Sequence, residues 1–250
     1  EVINVENSSS QEHKSNIERE FKNVKCILSG DNLGYGKGNN IGLKEVKTKF
    51  ALILNPDTEI LKDTLEKFLD VAKQKPEFAI LSPGIVEDKN KISNNLDVKE
   101  VKEVKGFAMF INMSKFKDIG FFDENFFIYL EEIDLCKRLK EKNKKIYLDK
   151  NIKIDHLGGS SHNDSINFEM ELSRNWHWMW STFYYNKKHY GYLFSLIKIS
   201  RKFFSSFIKM IFFMLIFKKK ESKVYFQRFS GLFNSIIGKK SWYRPKILIN

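Results

Sequence analysis

The 250-residue sequence contains only two cysteines, Cys26 and Cys136, and neither sits in a CxxC pair. That excludes a disulfide framework and a cysteine zinc site, and it fits a reducing compartment. Acids are nearly missing from the C-terminal part. From Phe183 to Asn250 there are 15 Lys/Arg and one acid, Glu221, whereas the preceding 182 residues hold 28 bases and 30 acids. The net charge of +12 therefore belongs to the tail, and a basic tail points to phosphate-bearing partners, lipid or nucleic acid. Long apolar runs are missing too. Within 192–217 the longest stretch without a charge is the eight residues Met210 to Phe217, far short of the ~20 that a membrane-spanning helix needs. No internal repeat is visible. No signal peptide is visible either: the chain opens on Glu1-Val2-Ile3-Asn4-Val5, without an initiator Met or basic leader, and reads as though it starts inside a strand.

What is present describes a globular protein. Hydrophobic residues make up 42% and charged residues 30%, enough for one substantial core or one domain with an appendage. Strand and helix patterns alternate from Val2 onward. Strands are expected at 2–5, 24–29, 50–54, in "FAILSP" and over 104–112, with short ones at 145–148 and 152–155. Helices are expected over 11–22, at the end of the glycine loop, over 60–74 with Leu61, Leu65, Phe68, Leu69 and Ala72 on one face, after "FFIYL", and over 167–188. This alternation argues for an α/β fold with a parallel sheet.

Four features carry chemistry. Gly34-Tyr35-Gly36-Lys37-Gly38-Asn39-Asn40 follows a strand and opens a helix, where backbone N–H groups are presented to phosphate. It reads either as a nucleotide loop or as a flexible turn. Asn55-Pro56-Asp57-Thr58 ends the strand Phe50–Leu54, and ligands of open α/β sheets bind at such carboxyl ends. A carboxylate there suits a divalent cation beside a diphosphate, although Asn-Pro-Asp is also a common turn. Glu131-Glu132-Ile133-Asp134 is an acid cluster after Phe121, Phe122, Phe126, Phe127 and Tyr129. Acids favour a helix start, but an apolar entry would also raise a carboxylate's pKa and make it a better base. His156 ends a strand and could join a carboxylate around a cation.

In this order the segments "VENSSS", "NLGYGKGNNIGL", "ALILNPDTEI", "KGFAMFI", "IGFFDENFFIYLEEIDLCKRL" and "IDHLGGSS" resemble the family 2 glycosyltransferases, in particular the rhamnosyltransferase-like branch that builds bacterial surface polysaccharide. The resemblance covers about 1–185, with an echo in "FSGLFNSIIGKKSWYRP". It implies a GT-A fold: a Rossmann-like, mixed, mostly parallel sheet flanked by helices. It also implies Mg²⁺ or Mn²⁺, a nucleotide-sugar donor with dTDP-rhamnose as the branch's choice, inversion at the anomeric carbon, and a lipid-linked saccharide acceptor. Carried over by position, Glu132 is the catalytic base with Glu131 beside it. Glu6, Asn7, Gly36, Asn40, Asn55 and Asp57 are donor-binding, Gly106 and Asp134 lie on the acceptor side, and Asp57 and His156 are the metal ligands. The sequence departs from the family pattern in Glu6 and Glu132, where Asp is usual, and it lacks the family's first strand.

Residues 189–250 are expected to be a separate amphipathic tail behind a catalytic domain at 1–188. On a helix, Lys198, Arg201, Lys202, Ser205 and Lys209 fall on one stripe, with Phe, Ile, Leu and Met around the rest. This suits a helix lying in an anionic membrane interface, at the cytoplasmic face of the plasma membrane; packing against the catalytic domain is the plainer alternative. Nucleic-acid binding is not expected, because the aromatics lie opposite the basic stripe instead of interleaving with it. Two other functions stay open on these residues: a nucleotide-dependent oxidoreductase, from the glycine loop and Asp57, and a non-catalytic membrane-bound remnant.

Overall fold

The structure is a computed structural model that describes residues 1–85, 98–156 and 164–245. The chain forms two compact units, Glu1–Asp123 with Glu131–Ser160, and Glu124–Leu130 with Ser161–Asn250.

The first unit runs β1 (Val2–Glu6), α1 (Gln11–Glu20), β2 (Val24–Leu28), α2 (Tyr35–Glu45), β3 (Phe50–Leu54), β4 (Thr58–Ile60), α3 (Thr64–Gln74), β5 (Phe78–Ile85), β6 (Val98–Glu100), β7 (Ala108–Asn112), α4 (Glu131–Glu141) and β8 (Lys145–His156). The strands form two sheets. β1 and β2 pair in parallel, and the other sheet has the order β3-β7-β5-β8-β4, with β6 also on β8. That sheet is mixed: β5–β8 is parallel, while β3–β7, β5–β7, β4–β8 and β6–β8 are antiparallel. The strand–helix alternation thus explains the parallel pairs β1–β2 and β5–β8, and β4, β6 and β7 enter by antiparallel pairing. Among the described residues no ladder joins β1–β2 to β3, the outer strand of the larger sheet.

Side-chain alternation along the strands sorts two cores. Ile80, Met109 and Ile111 face one side with Leu43 of α2 and Leu135, Cys136 and Leu139 of α4. Leu81, Ala108 and Phe110 face the other with Phe68, Val71 and Ala72 of α3. β7 is buried on both faces, which is why it reads as a continuous apolar run. Phe110 stacks on Phe68 at 5.0 Å and on Phe78 at 5.7 Å.

Two local expectations change. α3 begins at Thr64, and the residues it buries are Thr64, Phe68, Val71 and Ala72; Leu61, Leu65 and Leu69 are exposed. Helix register, not hydrophobicity alone, decides which leucines reach the core. The two short strands expected around 150 are one strand, β8, with a register shift opposite Pro83/Gly84. There a Cβ on Gly84 would stand 3.0 Å from the Lys150 Cα, so a glycine lets the bulge close up.

The second unit contains α5 (Asp164–Tyr190), α6 (Tyr192–Leu215) and α7 (Lys219–Ile236). Gly191, at φ +86°, makes the sharp turn between α5 and α6. Met179 and Phe183 of α5, Ile199 of α6 and Leu232 of α7 form one core. The buried indoles keep polar partners: Trp176 Nε1 donates to Ser230 Oγ (3.2 Å) and Trp180 Nε1 to the Lys239 carbonyl (3.0 Å). α5 belongs to the same compact unit as α6 and α7, and its Trp176, Trp180 and Phe183 are buried within that unit. α6 likewise packs on α5 and α7 through its small face, Ser195, Ile199 and Ser206.

At the α5–α7 crossing, a Cβ on Gly231 would come within 2.3 Å of the Trp176 carbonyl oxygen. Gly231→Ala should force these helices apart and destabilise the unit by ~1–3 kcal/mol or more. A lowered thermal or urea midpoint checks this; an unchanged midpoint contradicts the tight crossing.

Candidate functional site

The acid pair opens α4. Glu131 is only 4% exposed, and its Oε2 has no hydrogen-bond partner among the described residues. A Cβ added to Gly36 would lie 3.0 Å from the Phe122 Cβ and 3.6 Å from the Glu131 Cβ. Gly36 thus lets α2, Phe122 and the start of α4 meet. Tyr35 closes the same spot, edge-on to Phe122 at 5.7 Å. Burial, helped by the neighbouring Glu132 charge, pushes the Glu131 carboxyl up to about 8. Glu132 is less buried. Burial raises its pKa as well, while backbone N–H groups at the start of α4 oppose the shift. The pair therefore has one carboxyl kept neutral at neutral pH and one more accessible carboxyl as the stronger candidate base.

A hydrogen-bonded path runs from Tyr35, which packs on Phe122 beside this pair, to the β3 turn. Tyr35 Oη donates to the Gly106 carbonyl, and the Asn55 N–H donates to the adjacent Phe107 carbonyl (2.9 Å). The Thr58 N–H (3.1 Å) and Oγ1 (2.6 Å) both donate to the Asn55 carbonyl, so Asn55–Thr58 is a β-turn with Pro56 at its second position. Asp57 is the third residue of this turn. The turn reading and the site reading are thus compatible: the turn is the device that holds the carboxylate at the strand end.

His156 pairs through its backbone with Thr58, the residue after Asp57. Its side chain lies outside the described residues, as does the segment 157–163. Register alone thus sets the backbones of both expected metal ligands next to each other. Carboxylate and imidazole donors, completed by diphosphate oxygens, form a set that suits Mn²⁺ or Mg²⁺. Among the described residues no three His, Cys, Asp or Glu side chains cluster as a metal site by themselves.

Several expected donor and acceptor residues make hydrogen bonds within the protein. Asn40 is buried, and its amide holds the Phe122 backbone from both sides: Nδ2 donates to the carbonyl (2.9 Å) and Oδ1 accepts from the N–H (3.0 Å). Asn7 Oδ1 accepts from the Leu33 N–H (2.9 Å), and Nδ2 donates to the Gly34 carbonyl (3.1 Å), so this side chain fixes the glycine loop. Glu6 lies 3.1 Å from His13 Nε2. Asp134 is fully buried and accepts from Arg138 Nε (2.8 Å), whose guanidinium also donates to the Ile119 and Phe121 carbonyls. Gly106 contributes its carbonyl to Tyr35. The aromatic entry is also divided: Phe122 walls Glu131, whereas Phe126 packs on Tyr184 and Phe127 on His177 in the second unit. Sequence reading missed Tyr35 as the link, although it stands between two loop glycines.

Residues 1–136 match the profile of glycosyl transferase family 2. The chain belongs to this family. Among its relatives, the low-salt glycan biosynthesis hexosyltransferase Agl10 of Haloferax volcanii is 30% identical over 57% of this chain and 54% of its own length. Rhamnosyltransferase WbbL of Escherichia coli is 29% identical over 63% of this chain and 72% of its own. The N-acetylglucosaminyl-diphospho-decaprenol L-rhamnosyltransferase of Mycobacterium tuberculosis is 21% identical over 55% and 60%. The chain thus spans about half the length of the first relative. Among solved structures, mannosyltransferase PcManGT of Pyrobaculum calidifontis, with GDP-Man and Mn²⁺, superposes with a TM-score of 0.55 at 10% identity, over 96% of this chain and 79% of that one. GalNAc-T7 with UDP, GalNAc and Mn²⁺ gives 0.54 at 14% identity over 71% and 44%. These likenesses establish the GT-A fold of the family 2 chain.

The neutral Glu131 has a measurable signature. Its folded pKa of about 8 lies above the ordinary 4.5, so its contribution to stability is complete below pH 4.5 and is lost as pH rises toward 8. Glu131→Gln keeps the shape without the proton. The variant should match the parent near pH 4.5 and become progressively more stable than it up to about pH 8, as read from urea midpoints across that range. A difference independent of pH would contradict the buried neutral carboxyl.

Proposed function

We propose that this family 2 protein is an inverting glycosyltransferase acting from a nucleotide-sugar donor on a saccharide acceptor. The observation that carries the reading is the acid pair at the start of α4, one carboxyl buried and one more accessible, close to Gly36 and Phe122. Glu132 is the base: it takes the proton of an acceptor hydroxyl as the oxygen attacks the anomeric carbon, and the nucleoside diphosphate leaves from the opposite face. Glu131, uncharged beside it, keeps a second negative charge away from the acceptor. Glu132 takes this role over Glu131 because an acceptor can reach it.

Asp57, with His156 beside it in register, would hold a divalent cation. Such a cation, when bound, supplies charge stabilisation to the leaving diphosphate. The first turn of α2, whose cap Gly34 offers no side-chain hydrogen bond, leaves backbone N–H groups for the same diphosphate. Mn²⁺ in the two superposed transferases supports a divalent ion in this fold. The names of two relatives support rhamnose as the sugar, and one of them supports a diphospholipid-linked acceptor. The oxidoreductase reading leaves the acid pair unexplained and does not account for the family match over residues 1–136.

The second unit supplies a membrane surface in this reading. No described helix is long and apolar enough to cross a membrane. α6, about 36 Å long, leaves Leu193 (75%), Ile197 (77%) and Phe204 (62%) exposed along one stripe with Ile208 and Leu215; Arg201 borders this stripe, and Lys198, Lys202 and Lys209 lie on a neighbouring face. An exposed apolar stripe on a helix that also carries bases fits an anionic bilayer interface, at the cytoplasmic face of the plasma membrane.

Two outcomes are expected. Glu132→Gln should lower transfer on the order of 10²-fold or more while nucleotide binding persists; full activity would move the base to another residue. A double change, Ile197→Glu with Phe204→Glu, should abolish flotation with vesicles containing phosphatidylglycerol. Wild-type protein that fails to float with such vesicles would remove the membrane assignment.

A further inference from the structure

The seam between α6 and α7, inside the second unit, carries a basic cluster with no acidic counterpart. Phe203 and Phe207 of α6 both meet Phe229 of α7, at 4.8 and 5.3 Å. Further along α6, Phe213 stacks on Tyr225 at 5.4 Å, and Ser222 Oγ donates to the Met210 carbonyl (3.0 Å). Residue numbers rise on α6 as they fall on α7, so the two helices are antiparallel. Lys198, Lys202 and Lys209 share one face of α6, because they are spaced by four and seven residues. That face borders α7. Lys209 Nζ stands 5.2 Å from the centroid of the Tyr225 ring, and Arg228 Cζ stands 5.6 Å from the same centroid. One ring thus gathers a cation from each helix.

The Arg228 guanidinium is short of an acceptor. Its Nε is buried and has no hydrogen-bond partner among the described residues. Lys202 is its electrostatic neighbour: partial burial, and then the charges of Arg228 and Lys198, lower the Lys202 pKa. No described carboxylate forms an ion pair with Lys198, Lys202, Lys209 or Arg228. Glu221, the one acid after Phe183, lies two turns before Arg228, about 10 Å along α7. A desolvated donor without an acceptor, set beside like charge, is destabilising. An anion in the seam would relieve both.

The class of anion follows from charge and geometry. Lysine stems are long enough to converge on the guanidinium from two turns apart. Three cations without an acid match a doubly charged group better than a singly charged one. The guanidinium fork suits two oxygens of one phosphorus. A phosphomonoester offers three such oxygens and nearly two negative charges at neutral pH. The neighbouring surface indicates what carries it. Ile208 and Phe212 lie within a turn of Lys209 and are 63% and 53% exposed. Hydrocarbon of a lipid could lie along them with its headgroup in the seam.

We propose that the α6–α7 seam at Lys202, Lys209 and Arg228 binds the phosphomonoester headgroup of a bilayer lipid, with Lys198 at its edge. This rests on the membrane reading of α6 and adds to it a discrete site that selects one headgroup.

The test is flotation of the full-length protein with phosphatidylcholine vesicles that carry either phosphatidic acid or phosphatidylglycerol, adjusted to equal zeta potential. Wild-type protein should bind the phosphatidic acid vesicles roughly 5-fold more tightly. Lys202→Glu, at an exposed position, supplies Arg228 with an internal carboxylate. It should bring that ratio to one and raise the thermal midpoint in phosphate-free buffer; a lowered midpoint would contradict the uncompensated charge. Arg228→Lys, which keeps the charge and loses the fork, should retain only part of the preference. Equal binding of both vesicles by wild-type protein, or a preference unchanged in Lys202→Glu, overturns the site and leaves the membrane reading standing. Wild-type protein that floats with neither vesicle overturns the membrane reading and the lipid carrier together. If glycerol 3-phosphate then still raises the midpoint of wild type and not of Lys202→Glu, the seam takes a soluble phosphomonoester instead.

Discussion

The closure of Gly36, Phe122 and Glu131 on one another is the contact on which the site depends. A side chain at position 36 would collide with Phe122, and Phe122 is held in place from both sides by the buried amide of Asn40. Leaving either group of that amide unsatisfied would cost ~1–3 kcal/mol, so the loop before α4 has little freedom to withdraw. The closed packing removes Glu131 from water, and a carboxyl without water or a cation stays protonated. The charge of the pair is then left to Glu132. One glycine, one asparagine and one phenylalanine thereby set which of two adjacent, chemically identical side chains is buried and which stays more accessible.

The same region shows how a turn becomes part of a site. Pro56 and the double donation of Thr58 to the Asn55 carbonyl define a tight reversal between β3 and β4. The Asn55 N–H, bonded to Phe107, ties that reversal to the segment before β7, and Tyr35 ties the same segment to α2. The cluster is thus cross-braced by backbone carbonyls, which are more rigid anchors than side chains. In the other unit, α6 buries Ile199 with two serines and leaves Leu193, Ile197 and Phe204 exposed. Exposed apolar surface of this extent is a feature that contact with a partner or a membrane covers.

Much was legible in the chain by itself. The order of strands and helices in the first 150 residues follows from period-two and helical patterning, and the ordered motifs identify the family. The acid pair, the Asp57 turn and the uneven charge are all visible as residue types at fixed spacing. Local sequence controls such features, because strands, helices and turns depend on near neighbours.

Tertiary structure decided the rest. The side chains of Asn7, Asn40 and Asp134 bond to Leu33, Phe122 and Arg138, partners that the motifs do not announce. The burial that separates Glu131 from Glu132 comes from α2, almost a hundred residues earlier. α5 buries Trp176 and Trp180 within its own unit, with hydrogen bonds to Ser230 and Lys239. In each case the deciding partner is distant in sequence, and composition or periodicity carries no information about which distant groups meet. Sequence determined which chemical groups the chain can offer; long-range packing determined which of them are buried, bonded or left accessible.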